Sequence, residues 1–149
     1  MDISIRPAQA TDLDRIAEVF SPSLRLMTFL PDLHSVAEDR WFIENVIAKE
    51  CELIVAEQDG LVIAFLARED TEIRLLHTHP DYLRRGAGTR LLAAAKQAPV
   101  AFLGLWCFQQ NHGARRFYER HGFKAEEFTD GQRNEEKLPD VRYRWDLLQ

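Results

Sequence analysis

A strand, a glycine loop, a helix and a second strand follow one another in mid-chain, and this succession constrains the fold more than any other sequence feature. Apolar periodicity predicts a strand from Thr71 to Thr78, a helix from Gly88 to Gln97 and a strand from Val100 to Phe108. A crossover of this kind is right-handed and makes its two strands parallel neighbours. Ligands of such sheets bind beyond the carboxyl ends of the strands, where the sequence Arg84-Arg85-Gly86-Ala87-Gly88 falls.

The rest of the chain extends this unit to the order βααβββαβαββ, a mixed α/β sheet with helices on both faces. Further strands are predicted at residues 3–5, 51–57, 61–68, 123–128 and 141–148. Further helices are predicted from Leu13 to Pro22, from Ser35, as its cap, to Lys49, and from Asn111 to His121. The turn Gln58-Asp59-Gly60 predicts a hairpin. We expect one domain over residues 1–149, because this length supports one core. Without an apolar run at the start or a membrane span, the expected location is the cytoplasm.

Charge is unevenly distributed along the chain. The net charge is -5, but residues 74–124 contain nine basic and two acidic side chains, so this segment carries +7 and the remainder -12. An acidic protein with a basic middle is poorly suited to general nucleic-acid binding and favours a local anion site. The alternative is that solvated helix faces are basic in this region.

The glycine loop offers a physical basis for such an anion site. Backbone amides at the start of a helix are unpaired, and the helix dipole adds positive potential there. Gly86 and Gly88 would let a phosphate approach these amides, with Arg84, Arg85 and Thr89 as further donors. The Rossmann fingerprint is excluded because its third glycine position holds Leu91, and the loop also lacks the Gly-Lys of a Walker A motif.

A second motif follows in FQQNHGARRFYERHGF. Asn111 is placed to cap a helix on which Phe117 and Tyr118 share an inward face with Ala114 and His121. Phe117 is expected to pack in the core. Tyr118 carries a polar group that needs a partner, and a phenol beside a bound thioester could protonate a leaving thiolate.

The strand TEIRLLHTHP, the loop RRGAG and the segment NHGARRFYERHGF, in this order and spacing, resemble the GNAT superfamily of acyl-CoA-dependent N-acyltransferases. The resemblance implies a central, mixed, mostly antiparallel sheet and acetyl-CoA, or another short acyl-CoA, as cosubstrate. It also implies direct attack of a neutral amine on the thioester. Where the family usually has Gln or Arg at the start of the loop, this chain has Leu83. Its hold on the pyrophosphate should therefore depend on main-chain amides and the neighbouring arginines.

The resemblance also implies roles for individual residues. Tyr118 corresponds to the general acid, and Glu72 stands where some members carry the base that acts on the amine. The cofactor-binding residues implied are Leu76, His77, Thr78, Arg84, Arg85, Gly86, Ala87, Gly88, Thr89, Asn111 and Tyr118.

Alternatives to the base remain open. A glutamate near a strand turn is as often simply exposed, and His77 and His79 are rival bases on one strand face. Two histidines without a third ligand predict no metal site. Cys51 and Cys107 lie in apolar runs without metal or disulfide spacing and are expected to be buried.

By the same resemblance, the acceptor lies between the segments LRLMTFLPDLHS and TDGQRNEEKLPDVRYRW. We expect Phe29 and Leu30 to form an apolar wall and Glu135 and Glu136 to attract a cationic amine, either a small molecule or a protein amino group. The alternative for these carboxylates is a solvated acidic turn. We predict an N-acetyltransferase, monomeric or homodimeric, without nucleic-acid or membrane partners. The main alternative is a non-catalytic acyl-CoA-binding or sensing domain.

Overall fold

Seven strands form one sheet in this computed structural model, which describes residues 2–148. The strands are β1 (Ile3–Pro7), β2 (Glu52–Gln58), β3 (Leu61–Glu69), β4 (Glu72–Thr78), β5 (Phe102–Phe108), β6 (Lys124–Phe128) and β7 (Asp140–Asp146). Their order across the sheet is β1-β2-β3-β4-β5-β7-β6. Every neighbouring pair is antiparallel except β4 and β5. The predicted mixed, mostly antiparallel α/β fold is therefore confirmed.

Helices cover both faces of this sheet. They are α1 (Leu13–Arg25), α2 (Val36–Phe42), α3 (Ala48–Glu50), α4 (Ala87–Ala95) and α5 (His112–Arg120), and a π-helical turn (Ile43–Ile47) joins α2 to α3. One buried cluster packs α1 and the π-helical turn on one face, around Phe20, Ile43 and Phe65. The other packs α4 on the opposite face, around Leu66 and Leu91. Strand β3 is an almost unbroken apolar run because both of its faces are buried.

The ends of three predicted elements follow the expected side-chain chemistry. Ser35 caps α2 through a reciprocal capping box with Glu38, and Asn111 caps α5 by accepting from the amide of Ala114 at 3.2 Å. Asp59 and Gly60 both have positive φ, as a tight hairpin between β2 and β3 requires. The predicted caps and hairpin are confirmed.

The predicted end of the first helix at Pro22 is wrong, because α1 continues through Pro22 to Arg25. Proline removes only one helical hydrogen bond, and packing offsets that loss here. Ile16 and Val19 are fully buried before the proline. After it, Arg25 donates to the Ser21 carbonyl at 2.9 Å. The additional turn brings Ser23 to the sheet.

Strands β4 and β5 are parallel, as predicted, but they pair at a single register position, Glu72 with Gly104. The Gly104 amide donates to the Thr71 carbonyl at 2.8 Å. Beyond this point the two strands share no further ladder position, so a gap opens toward their carboxyl ends. In the described part of the chain, no helix is long and apolar enough to span a membrane.

Candidate active site

A cavity of about 650 Å³ occupies the gap between β4 and β5. Its walls come from β4 (73–77) and β5 (105–108), from α5 on one side of the sheet, and from α1, α2 and the loop between them on the other. The acidic loop between β6 and β7 contributes Glu135 and Glu136. The cavity is therefore bounded by elements from both faces of the sheet.

On the α5 side, the cavity is bounded by Tyr118, Asn111 and Cys107. Tyr118 is only 9% exposed, and burial raises the pKa of its phenol above the ordinary value. The phenol is therefore protonated at neutral pH and can act as a proton donor. The Asn111 amide nitrogen lies 3.3 Å from the sulfur of Met27, which places the start of α5 next to the loop after α1.

His77 lines the same cavity from β4. Its Nδ1 is 2.9 Å from the Ser23 hydroxyl, and its ring lies against Phe20 and Phe65 at centroid distances of 5.1 and 5.9 Å. Desolvation lowers the pKa of His77 to about 4, so the imidazole is neutral at physiological pH. His79, the other rival base, instead accepts a hydrogen bond from the Asp81 amide and caps the turn Pro80–Tyr82.

The predicted phosphate loop lies at the start of α4. Gly86 has φ +86°, Arg84 has φ +63°, and no side chain of residues 2–148 caps the helix. A Cβ at Gly86 would meet nothing within 4 Å, so the space beside this residue is open. Ala87, the first residue of α4, is buried in the core and so packs the end of the loop against it. An open, uncapped helix start with positive φ in the preceding loop fits a pyrophosphate group.

The basic side chains of this loop differ in how they are held. Arg85 donates to the buried amide oxygen of Gln58 at 2.9 Å, and its guanidinium lies 4.9 Å from the centroid of the Tyr82 ring. Arg84 makes no hydrogen bond or ion pair with residues 2–148 and is exposed. Leu83 is 45% exposed, so its apolar side chain faces solvent at the position where the family usually has a polar one.

Glu72 is not among the residues that line the cavity. It lies at the closed end of the gap, and Arg142 holds both of its carboxylate oxygens at 2.8 Å. This geometry does not support the predicted role of Glu72 as the base, because the carboxylate is engaged and lies outside the cavity. Thr78, at the far end of β4, also lies outside the lining residues, whereas Leu76 and His77 belong to them.

The side opposite α5 contains several acidic groups. Asp39 is buried, and its carboxylate accepts from Arg25 at 2.8 Å and from Ser21 at 2.7 Å. At the mouth, His34 Nε2 lies 2.7 Å from Glu135, joining the α1–α2 loop to the β6–β7 loop. This contact raises the pKa of His34.

The two predicted apolar acceptor residues occupy different places. Phe29 packs edge-on against Phe108 with ring centroids 5.9 Å apart. Leu30 faces a separate cavity of about 310 Å³ that shares Met27, His34 and Glu136 with the larger one.

Sequence reasoning missed Ser23, Arg25, Asp39 and Arg142. The first two lie beyond Pro22, where the sequence predicts that the helix ends. Asp39 falls outside the predicted inward face of its helix. The one signal that could have suggested an acidic partner is Arg25, one turn after Pro22. No local signal points to Arg142, because its partner Glu72 is 70 residues away.

The remaining metal and cysteine predictions can be compared with the structure. Among residues 2–148, no group of three or more His, Cys, Asp or Glu side chains could hold a metal ion. Cys107 is buried, as predicted, and burial raises the pKa of its thiol to about 11. Cys51 is only partly buried, contrary to the prediction, because it lies immediately before β2 and not inside the strand.

Comparison with known proteins identifies the class to which this fold and cavity belong. The model of the acetyltransferase (GNAT) domain matches residues 49–125, just over half of the chain. The chain therefore belongs to the GNAT acetyltransferase family. An uncharacterized N-acetyltransferase of Methanocaldococcus jannaschii is 30% identical over 108 residues, which cover 62% of this chain and 48% of that protein. The matched region thus spans about half the length of this relative.

Solved structures share the fold over nearly the whole chain. A GCN5-related N-acetyltransferase from Rhodopseudomonas palustris has a TM-score of 0.80 at 19% identity, covering 99% of this chain and 97% of that one. The PaiA N-acetyltransferase of Thermoplasma acidophilum, solved with coenzyme A, has a TM-score of 0.76 at 23% identity, covering 98% and 99%. YncA of Salmonella typhimurium, solved with acetyl-CoA, has a TM-score of 0.75 at 17% identity, covering 100% and 96%.

Proposed function

We propose that the protein transfers an acetyl group from acetyl-CoA to a primary amine. The observation that carries this proposal is the cavity in the gap between β4 and β5, which is bounded by Tyr118 on one side of the sheet and by acidic side chains on the other. A thioester and an amine that enter from opposite faces would meet in this gap. Two proteins of the same fold are solved with coenzyme A or acetyl-CoA, which supports the choice of cosubstrate.

The chain's own residues suit coenzyme A. The amides at the start of α4 and the exposed Arg84 would hold the pyrophosphate, with Arg85, Gly86, Gly88 and Thr89 around it. The main chain of Leu76, His77 and Thr78 lies along the edge of the gap and would pair with the pantetheine arm. Asn111 would face that arm from the start of α5. When bound, acetyl-CoA supplies the activated acyl carbon.

Bond changes in the transfer define what the side chains must do. The amine nitrogen forms a bond to the thioester carbon and the carbon–sulfur bond breaks, so one proton leaves nitrogen and one reaches sulfur. We assign the second proton to Tyr118. Tyr118 gives its proton to sulfur as the carbon–sulfur bond breaks, and the phenolate then takes a proton from water, which is favoured because burial raises the pKa of this phenol.

Neither Glu72 nor His77 is suited to take the proton from the amine in the cavity. Glu72 is held by Arg142 outside it, and His77, with a pKa of about 4, is a weak base. We propose that the amine binds in its neutral form and releases its proton to water at the open mouth. His77 orients the amine as a hydrogen-bond partner.

The acceptor's chemistry is suggested by four carboxylates that line the cavity. Asp39 is paired with Arg25, Glu38 is used in the cap of α2, and Glu135 contacts His34. Glu136 makes no hydrogen bond or ion pair with any described residue, and it borders both the cavity of about 650 Å³ and the one of about 310 Å³. We propose that Glu136 binds a cationic group of the acceptor, which would carry a positive charge besides the amine that reacts.

Thiol release from acetyl-CoA tests this function. The assay would compare a polyamine, an amino sugar, a lysine peptide and an amine that carries carboxylates, with mass detection of the acetylated product. We expect release with at least one of the cationic amines and weak or no release with the acidic amine. Binding of acetyl-CoA without thiol release for any acceptor would instead support the non-catalytic sensing domain.

A further inference from the structure

The sheet consists of two parts that meet at one seam. Strands β1 to β4 form one antiparallel set, and β5, β7 and β6 form the other. Strand β5 pairs with β7 along its full length, from Phe102 with Asp146 to Phe108 with Asp140. Across the seam, β4 and β5 share only the position Glu72–Gly104. The width of the gap beyond this position therefore depends on what holds the two parts together there.

An ion pair crosses the seam at this same position. Arg142 of β7 passes over β5 and binds Glu72 of β4 in a two-pronged contact, with both nitrogen–oxygen distances at 2.8 Å. The side chains of Arg142 and Glu72 are 23% and 31% exposed, so solvent screens the pair only in part. The guanidinium also lies 5.4 Å from the centroid of the Trp106 ring. Trp106 belongs to β5 and follows Gly104 by two residues, where β5 no longer pairs with β4.

Gly104 makes this crossing possible. A Cβ at residue 104 would lie 2.9 Å from Arg142 Cζ and closer still to Nη2. Any side chain at this position would therefore force the guanidinium to shift from the place where it now binds Glu72. The φ of Gly104 is not in the left-handed region, so the glycine is needed for space and not for backbone conformation.

We propose that Glu72, Arg142 and Gly104 form a staple that fixes the closed end of the gap and thereby the separation of β4 and β5. The expected effect on cofactor binding rests on the proposed function, in which the gap receives the pantetheine arm of coenzyme A. Glu72 is then a positioning residue and takes no proton from the amine. Loss of the staple widens or loosens the gap, which weakens cofactor binding.

Calorimetric titration of coenzyme A, which requires no acceptor, tests the staple. We expect Glu72→Ala, Arg142→Ala and Gly104→Ala each to weaken binding about tenfold. The double variant Glu72→Ala/Arg142→Ala should be no weaker than either single variant, because all act on one contact. Arg144→Ala is the matched control. Arg144 lies on the same strand, pairs with Asp146 at 2.9 Å and stacks on Phe102 at 3.9 Å, away from the gap; binding should stay within about twofold.

Two further measurements distinguish the staple from a general loss of stability and from a catalytic role of Glu72. Hydrogen exchange of the amides of residues 73–77 and 105–107 should accelerate in Arg142→Ala and not in Arg144→Ala, whether or not cofactor is bound. The Glu72→Gln variant should retain the low-pH limb of the wild-type rate profile, because this limb would disappear only if Glu72 were the base.

The outcomes are distinguishable. Wild-type protein that fails to bind coenzyme A would contradict the proposed function, while exchange rates still test the staple. If the wild type binds coenzyme A, and if all three single variants keep its affinity and its exchange rates, the staple alone is overturned. Loss of the low-pH limb in Glu72→Gln would restore Glu72 as the base and would also overturn it.

Discussion

The loop at the start of α4 and the acidic mouth of the cavity are built from different parts of the chain. The loop is contiguous, spanning residues 84–89, and its main features are main-chain conformation and uncapped amides. The mouth is assembled from segments far apart in sequence. His34 meets Glu135 across 101 residues, and Arg25 meets Asp39 across 14. One site is built mainly from backbone and the other from side chains.

This difference corresponds to what each site would bind. A pyrophosphate is the same in every acyl-CoA, so a main-chain cradle that depends on a few glycines is sufficient. An acceptor differs between enzymes of one fold, and side chains on loops can change without disturbing the sheet. Substitutions should therefore act on the two regions separately, and the following predictions test that separation from the largest effect to the smallest.

Tyr118→Phe should have the largest effect. Removal of the phenol that we assign as proton donor should lower kcat about 100-fold while coenzyme A affinity changes little. Thiol release under saturating substrates and calorimetric binding would measure the two quantities. Unchanged turnover would remove Tyr118 from the role of acid.

Tyr143→Phe provides the control for this substitution. Tyr143 is fully buried, with its ring centroid 6.2 Å from that of Tyr118, but its hydroxyl donates to Glu119 and accepts from Arg115. This variant should lower stability by about 1 kcal/mol and leave kcat within a few-fold of the wild-type value. A similar loss of kcat in both variants would mean that packing, and not the Tyr118 hydroxyl, is responsible.

Gly86→Val should affect the loop alone. The φ of +86° at Gly86 costs a β-branched residue about 1–3 kcal/mol, so coenzyme A should bind about tenfold more weakly. The acceptor's KM should remain unchanged. Gly113→Ala is the control, because Gly113 lies in α5 with open space around it and no positive φ. Equal affinity of the Gly86→Val protein would contradict the assignment of the loop.

The contrast between the two regions also explains what the sequence predicts well. Local signals identified the strand–loop–helix unit, the Asp59-Gly60 hairpin and the caps at Ser35 and Asn111, because each depends on residues a few positions apart. The end of α1 was mispredicted, since tertiary packing overrides the cost of Pro22.

Long-range side-chain pairs were beyond the reach of sequence reasoning. The contact between Glu72 and Arg142 follows from strand order and from the registers of β4 with β5 and of β5 with β7. A single sequence does not encode these in any local pattern. The roles of Tyr118, of the loop and of the acceptor carboxylates stay predictions.

Glu136→Gln should affect the mouth alone. It removes the one cavity carboxylate that has no partner among the described residues. The KM for a cationic acceptor should rise about fivefold, equivalent to about 1 kcal/mol. Coenzyme A affinity should not change. Glu126→Gln, an exposed substitution on β6 away from the cavity, should leave both constants as they are. A weaker affinity for coenzyme A in Glu136→Gln would show that the two regions are not separate.

His34→Gln should have the smallest effect, and it should depend on pH. The hydrogen bond to Glu135 raises the pKa of His34 above the ordinary value near 6.5. A raised pKa stabilises the folded protein fully below about pH 6.5, and this stabilisation is lost as the pH rises through the folded-state value. Because the pair is exposed, the unfolding free energy of the wild type should exceed that of His34→Gln by only a few tenths of a kcal/mol. The difference should be measurable by denaturation near pH 5.5 and absent near pH 9.

Glu135→Gln separates this contact from a general effect of losing a histidine. It removes the carboxylate that holds His34 and should abolish most of the pH dependence, leaving only the weaker contact of His34 with Glu38 at 3.7 Å. His112→Gln, an exposed substitution at the start of α5, should show no comparable trend. If the Glu135→Gln protein keeps the full pH dependence of the wild type, the bridge between the two loops does not stabilise the mouth. The acidic side chains around the cavity would then be positioned by the contact of the buried Asp39 with Arg25 and by the cap of α2 alone.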